Sequence, residues 1–189
     1  TPSWTAYVKI AEGCDQQCAF CVIPQVRGRY RSRSIEDIAE ECERLVGAGA
    51  KEIIFLSQDS TRYGLDRYGK PSLAALIQST ARVDGLQWLR LLYWFPSFVS
   101  DELLQAVADS ANVCQYIDLP FQHADSEMLR AMRRPGTDDS NRRLLQRIRN
   151  LMPDAAIRTA FIVGYPGETD AQFDTQLNFD RDCEFDHVA

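Results

Sequence analysis

Apolar positions along the chain switch repeatedly between two spacings. Short runs such as YVKIA (7–11) and EIIFL (52–56) read as strands. Between them, SIEDIAEECERLVGAG (34–49) places Ile35, Ile38, Ala39, Cys42, Leu45 and Val46 on one helical stripe. Ser34 is a suitable N-cap with Asp37 three residues on, acids fill the first turn, and Gly47 with Gly49 stop the helix. The alternation continues with helices in SLAALIQSTARV, DELLQAVADSA, DDSNRRLLQRIRNLM and ETDAQFDTQLNF, and strands in LQWLRLLYW, VCQYIDLP and IRTAFIVG. Repeated βα units with short apolar strands predict an α/β fold with a parallel sheet. Periodicity alone does not choose between a flat doubly wound sheet and a curved one. Six strand starts, the last in CEFDHVA, favour a barrel-like curve, and no GxGxxG follows the first strand to support a dinucleotide fold.

In such sheets the chemistry gathers on the loops at the carboxyl ends of the strands. The unusual residues fall there. Three cysteines follow the first strand, SQDSTRYG the second, WFPS the third, PFQHAD the fourth and GYPGET the fifth. Five such loops would face one common cavity.

Composition narrows the class. With 189 residues, 45% of them aliphatic or aromatic, the chain can bury one substantial core, and residues 1–189 read as a single domain. A net charge of −6 argues against a role as the main grip on a nucleic-acid backbone, and no direct nucleic-acid contact is expected. No apolar run approaches membrane-spanning length. Six cysteines without a secretory signal point to a reducing compartment, the cytoplasm, where clustered thiols serve as metal ligands or catalysts. A start without Met and an end inside a strand make the chain read as an excerpt of a longer protein.

Cys14, Cys18 and Cys21 have C-x3-C-x2-C spacing, which lets three thiolates converge from one loop on a compact inorganic centre. A closed zinc site needs a fourth ligand nearby, and His123 and His187 lie far along the chain. A four-cysteine ferredoxin cluster fails for the same reason. The remaining fit is a [4Fe-4S] cluster with one iron open to a small molecule, against the alternative of structural or redox cysteines. Of the other cysteines, Cys42 lies on the apolar helix stripe and reads as core, and Cys114 and Cys183 are isolated. Lys9, Arg90 and Arg158 sit inside strand patterns, where a charge is seldom left unpaired. Arg27, Arg29, Arg31 and Arg33 follow the cysteine loop at every second position and either steer an anionic partner or are neutralised by nearby acids.

These residues carry a resemblance. The cysteine spacing, with Phe20 just before the last cysteine, resembles the hallmark of radical S-adenosylmethionine (SAM) enzymes. EGCDQQCAFCVIPQVRGRYRSRS, LSQDSTRYG, DLPFQHAD and RTAFIVGYPGET are similar to methylthiotransferases, and QDSTRYG with DLPFQHAD looks most like the RimO family, which modifies an aspartate of a ribosomal protein. The resemblance implies a partial (β/α)6 barrel of the radical SAM type, truncated near the sixth strand. It implies a [4Fe-4S] cluster on the three cysteines, and SAM held on the open iron and cleaved to methionine and a 5'-deoxyadenosyl radical.

By the same resemblance Gln58 and Asp59 surround the SAM methionyl amine, or else form an ordinary Asx-type turn. Arg158 is the preferred partner of the SAM carboxylate, Gln122 suits a ribose hydroxyl, and Gly164 to Gly167 would admit the adenine. Arg62, Tyr63 and His123 are candidate substrate contacts, His123 alternatively a loop residue bonded to its neighbours. RRPGTDDS (133–140) resembles a family loop and reads equally as a helix stop, a turn and a new cap. Complete relatives carry an N-terminal domain with a second [4Fe-4S] cluster and a C-terminal β-domain, neither found in this sequence, so an isolated core would lack the sulfur-delivering half of the reaction. The implied partners are a small-subunit ribosomal protein and an electron donor such as flavodoxin or ferredoxin. A tRNA adenosine as target, or a non-enzymatic iron-sulfur or zinc protein, are the rival readings.

Overall fold

A computed structural model describes residues 2–189. Strand β1 (Thr5–Lys9) leads into a two-residue strand β2 (Ala11–Glu12), a short helix α1 (Ile23–Arg27) and a second two-residue strand β3 (Arg31–Ser32). Then follow α2 (Ile35–Gly47), β4 (Glu52–Leu56), α3 (Leu65–Tyr68), α4 (Leu73–Thr80), β5 (Trp88–Leu91) and α5 (Asp101–Ala108). The chain ends with β6 (Tyr116–Asp118), α6 (Ser126–Ala131), α7 (Asp138–Leu151), β7 (Ala156–Thr159), α8 (Asp170–Cys183) and β8 (His187–Val188).

Strands β1, β4 and β5 pair in parallel, as do β6, β7 and β8. The two halves meet at a parallel bridge between Leu89 and Val113, where Leu89 N–H donates to the Asn112 carbonyl at 2.7 Å and Cys114 N–H to the Leu89 carbonyl at 2.8 Å. Six parallel strands thus run in chain order with helices between them. Among the described residues β8 does not pair with β1, so the barrel is partial, as the strand count led us to expect.

The strands alternate rather than being apolar on both faces. Val8, Ile53, Phe55, Leu89, Ile117 and Ile157 point to the helices and are fully buried. Their neighbours on the other face include Tyr7, Glu52, Arg90, Tyr116, Asp118 and Arg158, and polar groups there pair with each other. Glu52 accepts from Thr5 Oγ1 at 3.2 Å and from Arg90 Nε at 2.8 Å, while the Arg90 guanidinium lies 5.1 Å from the centre of the Tyr116 ring. Lys9 finds Glu12 at 2.5 Å. The in-strand charges are therefore satisfied within the protein.

Helix α2 forms as its pattern predicts. The Ser34 hydroxyl accepts from Asp37 N–H at 3.2 Å, and Ile38, Cys42 and Val46 bury against the sheet. Burying an Ile or Val in this way contributes roughly 1.5–3 kcal/mol. Four elements had no periodic signal: the β2–β3 pair, α1, α3 and α6. The first of these matters most. Ala11 pairs antiparallel with Ser32 and Glu12 with Arg31, which closes the base of the cysteine loop.

Candidate cofactor site

The cysteine loop leaves β2 through Gly13, whose φ of +81° is left-handed and where a Cβ would overlap the Arg29 carbonyl oxygen. Only glycine passes so close to the returning strand. Cys14 N–H then donates to the Gly28 carbonyl at 3.1 Å and Tyr30 N–H to Asp15 Oδ1 at 3.1 Å, so both limbs are stitched together. Cys21 N–H donates to the Cys18 carbonyl at 3.1 Å, forming the tight turn that presents the second and third thiols. Ala19 N–H reaches across to the Met132 carbonyl at 2.9 Å.

The loop covers a cavity of about 500 Å³ at the carboxyl ends of the strands. Cys14, Cys18, Cys21 and Phe20 wall one side. Gln58 from the end of β4, Gln122 after β6 and Arg158 of β7 wall the other, as does Arg134. Its size falls within the range of small-molecule and cofactor sites. All six cysteines are free thiols. No group of three His, Cys, Asp or Glu side chains among the described residues converges on a single ion. Gln58 Oε1 and Trp94 Nε1 are buried without a hydrogen-bond partner in residues that wall the cavity. Orphaned polar groups of this kind are what a polar cofactor would leave behind in the protein. The residues present therefore fit a cluster with SAM: the three thiolates for irons, and the amides and arginines for polar groups.

Two cavity residues hold strained backbone. Tyr93 (φ 59°) and Gln122 (φ 75°) are left-handed non-glycine residues. Each is fixed from both sides: Tyr93 N–H donates to Asp118 Oδ2 at 3.0 Å while its carbonyl accepts from Ser60 N–H at 2.9 Å, and Gln122 exchanges backbone bonds with Ala160 and Ile162. Such strain persists only where surroundings over-determine it, and it concentrates at functional sites.

Electrostatics separates the arginines. Arg158 lies 2.8 Å from Asp118 Oδ1, and this bond holds its guanidinium above its ordinary value. The sequence argument that Arg158 needs an external anion is thus corrected, because the register of β6 and β7 sets Asp118 opposite it. Arg134 is different. It is 8% exposed, and burial pulls it below its ordinary value against the opposing pull of Cys18. Burial also raises the Cys14 thiol, with the Gln16 N–H opposing. Asp59 is raised by burial too, although Thr61 Oγ1 (2.6 Å) and Gln16 Nε2 (3.1 Å) donate to it.

Five predicted residues do not wall the cavity. Asp59 stands just behind it, bonded to Gln16 of the cysteine loop. Tyr63 is fully buried and its hydroxyl donates to the Arg33 carbonyl at 2.8 Å, which removes it from substrate contact and makes it a core residue. Arg62 stacks on Phe98 with its guanidinium carbon 5.5 Å from the ring centre and is not among the residues that wall the cavity. His123 is fully buried: its Nδ1 accepts from Asp125 N–H at 2.9 Å, leaving Nε2 to donate to Glu168 at 2.9 Å. It joins two loops instead of facing a substrate. Gly164 donates its N–H to Glu168, and a Cβ there would meet nothing, so its φ of +74° rather than crowding asks for glycine. Arg134 and Trp94 were missed. The first lay in RRPGTDDS, where a helix stop and a turn accounted for the pattern, and the second opened the WFPS loop expected to face the cavity but was given no role of its own.

A radical SAM superfamily model matches residues 8–179, and the chain belongs to that superfamily. Among curated relatives, the ribosomal protein uS12 methylthiotransferase RimO of Desulforamulus reducens is 52% identical over all 189 residues, which span 43% of that protein. RimO of Gloeobacter violaceus is likewise 52% identical, with 43% of its length covered. The chain thus spans less than half of these relatives. The radical SAM methyltransferase TsrM from Kitasatospora setae, solved with tryptophan and a SAM analogue, superposes with a TM-score of 0.80 at 18% identity, covering 98% of this chain and 35% of that one. Methylornithine synthase PylB gives 0.64 at 17% identity, covering 97% and 51%. These two share the fold.

Proposed function

We propose that this chain is the radical SAM core of a methylthiotransferase whose parent modifies the β-carbon of an aspartate in small-subunit ribosomal protein uS12. The observation that carries the reading is the meeting of Cys14, Cys18, Cys21 and Phe20 with Gln58, Gln122 and Arg158 around one cavity. Identity of 52% to RimO proteins along the whole chain supports the substrate class. When bound, a [4Fe-4S] cluster with SAM supplies one-electron reductive cleavage and thereby hydrogen abstraction from an unactivated carbon.

The chain's own residues do the rest. Cys14, Cys18 and Cys21 would hold the cluster, and Phe20 would supply an apolar wall beside it. Gln58 and Gln122 would orient the polar groups of SAM, and Arg158, tied to Asp118, offers a carboxylate its remaining donors. Asp59 fixes Gln16 within the cysteine loop. Gly164 lies outside the cavity wall, with open space beside its backbone. Arg62 and His123 act through the loops that they brace. The sulfur-delivering half of the reaction, including a second [4Fe-4S] cluster, belongs to the longer parent, and a flavodoxin or ferredoxin would supply electrons. Six free thiols support work in a reducing compartment, the cytoplasm. No helix among the described residues is long and apolar enough to cross a membrane.

The test is anaerobic reconstitution with iron and sulfide, then assay for 5'-deoxyadenosine from SAM. With the full-length parent, mass spectrometry of a uS12 loop peptide and of tRNA nucleosides follows. Methylthiolation of the peptide aspartate is expected; a modified adenosine with the peptide untouched overturns the substrate.

A further inference from the structure

Arg134 reaches the cavity by an unusual path. Helix α6 ends at Ala131, Arg133 takes a left-handed φ of 52°, and Arg134 N–H returns to the Leu129 carbonyl at 2.8 Å. This reversal, in the manner of a Schellman motif, turns the next side chain back under the cysteine loop. There Nη1 lies 3.8 Å from Cys18 Sγ, Nη2 donates to the Pro120 carbonyl, and the guanidinium carbon sits 4.0 Å from the centre of the Phe95 ring. The other arginine that walls the cavity, Arg158, has a carboxylate partner in Asp118. Arg134 has no ion-pair partner among the described residues, although it is 8% exposed.

A buried guanidinium is costly without an anion. The acidic group it touches is Cys18, with Sγ 3.8 Å from Nη1, while Asp59 and Cys14 act on it more weakly from farther off. Arginine stays protonated at every working pH, and here its plane is fixed by an aromatic face and a carbonyl, so its charge cannot swing away. We infer that Arg134 is a positioning residue that acts through Cys18 to set the reduction potential of the centre the cysteines hold. This rests on the cluster reading above. Reduction by one electron from an external donor makes a thiolate-bound cluster more negative, and a fixed cation at one of its sulfurs stabilises that state more than the oxidised one. Arg134 therefore raises the midpoint potential.

The experiment is a potentiometric titration with dithionite, followed by electron paramagnetic resonance, on the reconstituted full-length parent. It compares wild type with Arg134→Lys, Arg134→Gln and Arg134→Met at matched iron and sulfide content. Arg134→Met and Arg134→Gln should shift the midpoint to more negative potential, and Arg134→Lys should recover part of the shift because it keeps the charge. If Arg134→Met does not fold, Arg134→Gln carries the test, since it keeps a polar amide with N–H donors while removing the charge. A merely structural role would change melting temperature and leave the potential in place. Equal midpoints in wild type and Arg134→Gln with a full cluster overturn the inference alone. Wild-type protein that holds no iron or sulfide overturns it together with the cluster reading.

Discussion

Asp118 and Arg158 stand opposite each other across β6 and β7, with Oδ1 and Nη1 2.8 Å apart. Asp118 is almost fully buried and its second oxygen also accepts from Tyr93 N–H at 3.0 Å, so the pair links the sheet to the strained rim of the cavity. Arg158→Leu leaves that carboxylate without its charged donor and should cost about 1.5–3 kcal/mol in urea unfolding. Adding Asp118→Asn should restore part of the loss, because the two changes share one interaction. SAM affinity, measured by calorimetry on the reconstituted protein, should fall in Arg158→Leu. An unchanged affinity with the fold intact removes Arg158 from the carboxylate site.

Replacing Cys14, Cys18 or Cys21 by Ala should abolish cluster assembly, measured as iron and sulfide per chain. Cys42→Ala should keep the full cluster. Cys42 is fully buried on the sheet side of α2, and burial pushes its thiol up to about 12, which keeps it an unreactive packing group. Its loss should lower stability by about 1 kcal/mol and nothing else.

Two glycines with similar φ should respond differently to alanine. At Gly13 the added Cβ would overlap the Arg29 carbonyl oxygen, and the backbone that carries it must move. Gly13→Ala should therefore open the cysteine loop and cut iron content sharply. At Gly164 nothing lies within 4 Å of the new atom, so Gly164→Ala carries only the left-handed penalty, about 1–2 kcal/mol. Thermal melts and iron analysis of both variants check the contrast.

Acid should loosen the join between the loops after β6 and β7. Burial raises the Glu168 carboxyl, but bonds from His123, Gly164 and Tyr165 outweigh this and hold it below its ordinary value of 4.5. With the folded value depressed, the contribution is complete above the unfolded value and is lost as pH falls through the folded one. Stability of wild type should thus decline below about pH 4.5, a value set by the unfolded carboxylate, and Glu168→Gln should flatten that decline. Identical acid slopes in urea titrations of the two proteins would contradict it.

Much of this was legible in the residues because regular periods announce regular elements. Ser34 with the stripe from Ile35 to Val46 gave α2 almost to the residue. Cys14, Cys18 and Cys21 stood out because their spacing is visible in the sequence even where the loop has no periodic pattern, and the fold brings all three to one cavity. The pairs that act at long range were not. Nothing near Arg158 in the chain points to Asp118, forty positions away, and register alone joins them. Tyr63 looked available because QDSTRYG reads as a loop, but burial depends on Arg33 coming back across β3. Arg134 was hidden by a turn whose local chemistry was complete without it. The β2–β3 pair, at two residues a side, is too short to carry any alternation.

That two-residue ladder bears on what the cysteine variants can report. The bonds at Ala11–Ser32, Glu12–Arg31, Cys14–Gly28 and Ala19–Met132 are all between protein atoms. These bonds tie the loop to β3 and to the end of α6 through backbone rather than through its thiols. Replacing one of the three cysteines should for that reason empty the loop without unravelling it, so that loss of a cluster and loss of the fold can be told apart.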